Sequence, residues 1–431
     1  MKYFLPIALA VCAFVGLSAS AEENTPDSNK LMRGFPPSTE HRVTSENMME
    51  VPYIMWGLRN VRELQPTRDI YRGDGPATII VKSPIDLDAL SFSLSQGRKT
   101  SLSNWLDYSA THSFIVLHKG RIVFERYLNG MAPHDRHNMF SVTKSYVGTL
   151  VLILIDQGLI NADEKISVYI PELKEGAFGD ATVQQVLDMT VSIQFSEDYL
   201  NPDADVWRYG SIFGLGPQSA RKDDSIYEFL PILKKNTHAH GEGFHYVSPK
   251  TEVLGWLLNK VTGKHVSALL SEYFWQPMGM DRDGYIWIDK AGGELAAAGL
   301  NTTARDAARF GQMILQEGRY NGKQIIPAAV AKKIIAPGDR EVFQRFYDDP
   351  WYRDIGHSYH DQWWTFNNAH KAVSGIGIHG QFIYIDPVAD MVVVKQSAHH
   401  EAEGDANEVD GPMIWQQIAE HLMTLDPPEV E

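Results

Sequence analysis

The chain has 431 residues, 44% hydrophobic and 22% charged, with a formal net charge of −15. That supplies enough apolar sequence for a large core, and the acidic balance argues against nucleic acid or anionic lipid as a partner. The one cysteine, Cys12, lies inside an N-terminal apolar run, so disulfides, thiol catalysis and Cys-ligated zinc are excluded from the rest of the chain.

That run has the layout of a cleavable signal. Lys2 precedes apolar residues 4–17, and Ala19-Ser20-Ala21 offers small residues at a cleavage site. The expectation is a signal peptide over residues 1–21, cut after Ala21, and a periplasmic or secreted protein of net charge −16. The run is short for a bilayer span, so no stable membrane insertion is expected after cleavage. Residues 22–80 read as an N-terminal arm and lead-in. Their first part, to about residue 48, is polar and holds Pro36-Pro37, which predicts a poorly ordered stretch.

Residues 85–110 suggest a helix and its lead-in. Residues 113–118 and 121–127 are β-rich and flank Lys119-Gly120, a hairpin signature. Residues 141–157 have a helical pattern ended by Gly158, with Asn138 as a capping candidate. Residues 180–275 carry helical periodicity with long polar loops. Within them, a helix is predicted from Pro249 to a stop at Gly263. Strands return at 381–385 and 391–395, broken by Asp386-Pro387, and residues 413–425 suggest a closing helix. Strands near both ends with helices between predict an α+β fold. One sheet is assembled from both ends, in an α/β part over 81–160 and 290–431, around a mainly helical part over 161–289.

Three segments carry candidate chemistry. Ser141-Val142-Thr143-Lys144 places a hydroxyl and an amine one turn apart on one helix face. The helix N-terminus favours an oxyanion and lowers the pKa of a nearby ammonium, so a neutral Lys144 can take the serine proton. A second Ser-x-x-Lys, Ser219 with Lys222, lies in a polar run that reads as exposed loop. Tyr246, in Tyr246-Val247-Ser248, can relay a proton if a cation lies beside it. Gly375-Ile376-Gly377-Ile378-His379-Gly380-Gln381 leads into a strand, where glycines allow close backbone approach. The N–H of Gln381 is the candidate partner of the Ser141 N–H in an oxyanion hole. No Gly-x-Ser-x-Gly or His-Glu-x-x-His occurs. Neither His238/His240 nor His399-His400-Glu401 is read as a metal site, and no metal or cofactor is expected.

The order Ser-x-x-Lys, Tyr-x-Ser, then glycine-bearing strand resembles the serine β-lactamase/penicillin-binding superfamily, in its class C-like branch. The branch with esterases and 6-aminohexanoate-dimer hydrolases is the most similar. Residues 140–145 match its nucleophile motif, 243–248 its Tyr-x-Asn element, 298–306 a helix-leading segment and 379–387 its third-motif strand. Residues 62–67 are similar to the lead-in of the nylon-oligomer hydrolases.

The resemblance implies a β-lactamase/transpeptidase-like fold, an antiparallel sheet flanked by helices with an α-helical insertion. It implies an acyl-enzyme on Ser141, with Lys144 and Tyr246 as the acid–base pair, acting on a small ester or amide. Gly380, Gln381, His379 and Ser248 become substrate or oxyanion contacts. Tyr199, in Ser196-Glu197-Asp198-Tyr199, becomes the residue that helps bond a scissile amide N–H. Two departures stand out. Ile378-His379-Gly380 occupies the place of Lys-Thr-Gly, which argues against β-lactam turnover, and Ser248 replaces the usual Asn. Two readings on the same fold compete with a hydrolase: a penicillin-binding sensor that never turns over, and a D,D-peptidase.

Overall fold

The computed structural model describes residues 26–216, 220, 222–346 and 356–425. The signal expected over residues 1–21 and Ser219 of the second Ser-x-x-Lys lie outside these residues.

The hairpin forms where its turn residues demand it. Lys119 and Gly120 both take positive φ (51° and 71°), which suits the right-handed twist of the flanking strands. The strands are β1 (Thr111–His118) and β2 (Arg121–Tyr127). Five later strands complete the sheet: β3 (Ser358–His360), β4 (Trp363–Thr365), β5 (Val373–Gly377), β6 (Gln381–Asp386) and β7 (Met391–Ser397). The order is β3-β4-β5-β6-β7-β1-β2, antiparallel throughout. The sheet is therefore assembled from both ends of the fold, joined where β7 pairs with β1.

Alternation along β6 sorts the two faces. Ile383 and Ile385 join the large core with the helical part. Phe382 and Tyr384 join Trp105, Ile414 and Trp415 in a second cluster. Each such side chain contributes roughly 2–3 kcal/mol of transfer free energy on burial. Four longer helices matter for the site: α1 (Val142–Asp156), α2 (Pro249–Thr262), α3 (Ala304–Leu315) and α4 (Asp410–Leu425). Helix α3 packs on the side of β6 and β7 that faces the large core, and α4 covers the other. Helix α1 is buried from Val142 to Leu154, the mark of a helix apolar all round and enclosed on every side. Helix α2 ends at Gly263 in the left-handed conformation. No described helix is long and apolar enough to cross a membrane.

A second, four-stranded sheet orders Thr67–Ile70, Gly284–Trp287, Leu300–Thr302 and His137–Asn138. It ties the lead-in to two segments that flank the candidate site, just before Ser141 and just after Ala297.

Three expectations need correction. The described part of the arm is not poorly ordered: Leu31, Val43 and Met48 are buried in the main core, because a few well-spaced apolar residues suffice to dock a polar stretch. Asn138 does not cap α1. It lies in a short strand, its Oδ1 accepts from Phe140 N (2.8 Å), and Ser141 itself takes the cap position. The lead-in before Leu102–Tyr108 holds a two-stranded hairpin, Ser91–Ser93 with Lys99–Ser101.

Candidate active site

Ser141 begins α1 at the floor of a cavity of about 430 Å³. Phe140 before it has φ +42°, a conformation that costs energy for a residue with a side chain and persists only where packing holds it. Its ring packs on that of His379, 5.6 Å between centroids.

Lys144 Nζ lies 2.8 Å from Ser141 Oγ, 3.1 Å from Ser248 Oγ and 3.2 Å from the Ala297 carbonyl oxygen. The lysine is 1% exposed. Burial brings its pKa down to about 8, against the opposing pull of Glu197 and Glu252. Tyr246 arrives from the segment ahead of α2. Its phenol is hydrogen-bonded to the Ser141 side chain, and Lys144 Nζ sits 5.0 Å from its ring centroid. Burial pushes the phenol's pKa up, so it stays protonated. The structure thus brings Ser141, Lys144, Tyr246 and Ser248 together.

Ser248, at the N-terminus of α2, gives its N–H and its hydroxyl to Glu197 (2.5 and 2.8 Å). Tyr199 also donates to Glu197, at 2.9 Å, and lines the cavity. Its hydroxyl is thus linked to Lys144 through Glu197 and Ser248 and is engaged within the site.

The third motif is arranged differently from expectation. Gln381 is fully buried and pairs with Gly377 in the sheet. Its side chain spans the Ser397 backbone, Nε2 to O at 2.7 Å and N to Oε1 at 3.1 Å. Gly380 packs against Asn407 and Ser397. Neither lines the cavity, whereas Ile378 and His379 do. The hairpin between β5 and β6 therefore presents the residue after Gly377, not Gln381. At Gly377 a Cβ would stand 3.1 Å from Ser141 N and 2.5 Å from the Met139 carbonyl oxygen, so only glycine admits this approach. His379 is no substitute for a substrate-gripping cation. Its Nδ1 bonds the His399 carbonyl at 2.8 Å, and burial lowers its pKa to about 4.

Sequence reasoning passed over Glu197, Glu252 and Ile378. Glu197 stood two residues from Tyr199 with no spacing to single it out. Glu252 carried a fainter signal, an acid in the first turn of a helix whose next residues are apolar.

A family model described as Beta-lactamase matches residues 110–410. A 6-aminohexanoate-dimer hydrolase of Paenarthrobacter ureafaciens is 36% identical over 365 residues, which is 84% of this chain and 90% of the relative. A Bacillus anthracis structure, provisionally assigned as a 6-aminohexanoate-dimer hydrolase, superposes with TM-score 0.81 at 33% identity, over 91% of this chain and 100% of that one. A penicillin-binding protein homologue from Caulobacter crescentus shares the fold, with TM-score 0.52 and 15% identity over 69% of this chain and 90% of its own. The chain belongs to the β-lactamase family, within the serine β-lactamase/penicillin-binding superfamily, and is a hydrolase related to the 6-aminohexanoate-dimer hydrolases.

Proposed function

We propose that the protein is a secreted serine hydrolase that cleaves an amide or ester of a small, linear acyl substrate through a Ser141 acyl-enzyme. The observation that carries this reading is Lys144 Nζ at 2.8 Å from Ser141 Oγ, with the Tyr246 phenol on the same side chain.

Lys144 has a pKa of about 8, so on the order of a tenth of it is neutral at pH 7 and able to accept the serine proton. Ser141 Oγ then attacks the carbonyl carbon. The oxyanion is held by the N–H groups of Ser141 and Ile378, at the start of a helix and the end of a strand. The proton now on Lys144 passes through Tyr246, which stays protonated in its resting state, to the departing nitrogen or oxygen. Water reverses the sequence: Lys144 accepts its proton as the water oxygen bonds to the acyl carbon, the bond from that carbon to Ser141 Oγ then breaks, the proton returns to Oγ, and the carboxylic acid leaves. No cofactor takes part in this scheme.

The cavity supports the choice of substrate. Phe140, Val206, Leu215, Leu295 and Ile378 form apolar walls, and Asp198, Glu401 and Glu403 stand among the lining residues. Among the described residues no lysine or arginine lines it. An aliphatic chain ending in an ammonium group fits that field, and a carboxylate end does not. Amide cleavage accords with the amidase relatives. A panel of p-nitrophenyl esters and anilides of six-carbon acids, with ammonium, methyl or carboxylate ends, tests the reading. The ammonium series should show kcat/KM at least about 10-fold above the carboxylate series, and kcat/KM should rise with pH toward a plateau above about 8 as Lys144 loses its proton. Preference for the carboxylate end would sink the substrate reading. Acylation without multiple turnovers would favour a sensor, and cleavage of muropeptides alone a D,D-peptidase.

Secretion rests on residues 1–21. Mass spectrometry of protein made in a Gram-negative host should find a mature N-terminus at Glu22 in the periplasm; an intact Met1 in the cytoplasm would contradict it.

A further inference from the structure

Glu252 lies in the first turn of α2 and is 3% exposed. Burying a carboxylate is costly, and a position followed by Val253 and Leu254 would suit an apolar residue. The side chain does not cap its own helix. Oε1 accepts from Tyr209 Oη (2.6 Å) and Ala297 N (2.9 Å), and Oε2 accepts from Ala296 N (3.0 Å). The carboxylate therefore holds two successive peptide N–H groups in one grip. The far side of that segment faces the nucleophile, where the Ala297 carbonyl oxygen accepts from Lys144 Nζ.

We propose that Glu252 is a positioning residue for Lys144: by gripping residues 296–297 it aims the Ala297 carbonyl at the amine and adds a negative charge behind it. This rests on the serine–lysine reading above. The charged and titratable groups around the pair are few. Lys144 faces Glu197, Glu252 and the Tyr246 ring. Glu252 faces Lys144 and Tyr209, with Tyr227 further off. Lys250, on the same helix, turns instead to the carbonyls of Met189 and His245.

Two consequences follow from the charges. Burial raises the Glu252 pKa to about 7, opposed by its hydrogen bonds and by Lys144. In turn the Glu252 charge holds the Lys144 pKa above what burial alone would set. Ionised Glu252 therefore keeps Lys144 protonated to higher pH, where it is the stronger base, and protonated Glu252 releases it.

The test is the pH profile of kcat/KM on a chromogenic ester, for wild type, Glu252→Gln and Tyr209→Phe. Glutamine keeps the size and removes the charge, so the acid limb should move about one pH unit lower. With the carbonyl less firmly held and the base weaker, the plateau kcat should fall about 10-fold and KM should stay within about 3-fold. Tyr209→Phe removes one hydrogen bond that favours the ionised carboxylate, so its limb should move the same way by less. If Glu252→Gln does not fold, Tyr209→Phe decides. An unmoved limb in the folded variants, even with a lower Tm, would mean that Glu252 only supports the fold, and the proposal would fall. A Ser141→Ala enzyme that still turns over would overturn the serine–lysine reading and this proposal with it. An enzyme that needs Ser141 but keeps its limb in Glu252→Gln overturns this proposal alone.

Discussion

Ser141→Ala should lower turnover by at least about 10⁵-fold, and Lys144→Ala by about 10³- to 10⁴-fold, with both variants folded. In the proposed mechanism the two losses differ because the serine supplies the bond-forming atom and the lysine only moves its proton. Lys144 contacts Ser141, Ser248 and the Ala297 carbonyl, and its amine is enclosed by protein. Removing a buried amine also removes its desolvation cost, so Lys144→Ala should melt within several degrees of wild type. Circular dichroism and a fluorophosphonate probe separate the effects. The probe should label Lys144→Ala slowly and Ser141→Ala not at all. Near wild-type hydrolysis by Lys144→Ala would defeat the mechanism, because no other described amine lies within hydrogen-bonding reach of Ser141 Oγ.

Gly377→Ala should lower kcat by about 10²- to 10³-fold, the size expected when one oxyanion donor is displaced. The added methyl would stand 2.5 Å from the Met139 carbonyl oxygen and 3.1 Å from Ser141 N. Both are backbone atoms, so the end of β5 must move away from the start of α1. That carries the Ile378 N–H with it and costs about 1–3 kcal/mol of stability. Binding of an alkyl boronic acid, which places a tetrahedral oxygen in the hole, should weaken in parallel with kcat/KM, while KM for substrate changes little. Unchanged boronate affinity in a folded Gly377→Ala would show that the oxyanion is held elsewhere.

Much of the fold was legible along the chain because its cues are local. Lys119-Gly120 demands positive φ at two successive residues and so marks the hairpin. Gly263 ends α2 because it adopts the left-handed cap, and the long apolar run after Ser141 can only be a buried helix. The i and i+3 spacing alone puts Ser141 and Lys144 on one face, and the two appear 2.8 Å apart. The described part of the arm misled because polarity says little about docking when three apolar residues are buried.

What the chain determined by itself was therefore the placing of Ser141 and Lys144 on one face, the helix that carries them and the strands on either side, since each follows from local spacing and turn residues. Tertiary structure decided which distant groups complete the pair. Tyr246 reaches Ser141 from 105 positions away, and Ser248 reaches Lys144 from 104. It also decided that the hairpin after β5 offers Ile378 rather than Gln381, and that Glu197 and Glu252 face inward. Such contacts depend on how a sheet edge and a helix N-terminus meet, and that meeting is set by packing between segments, which no local pattern encodes.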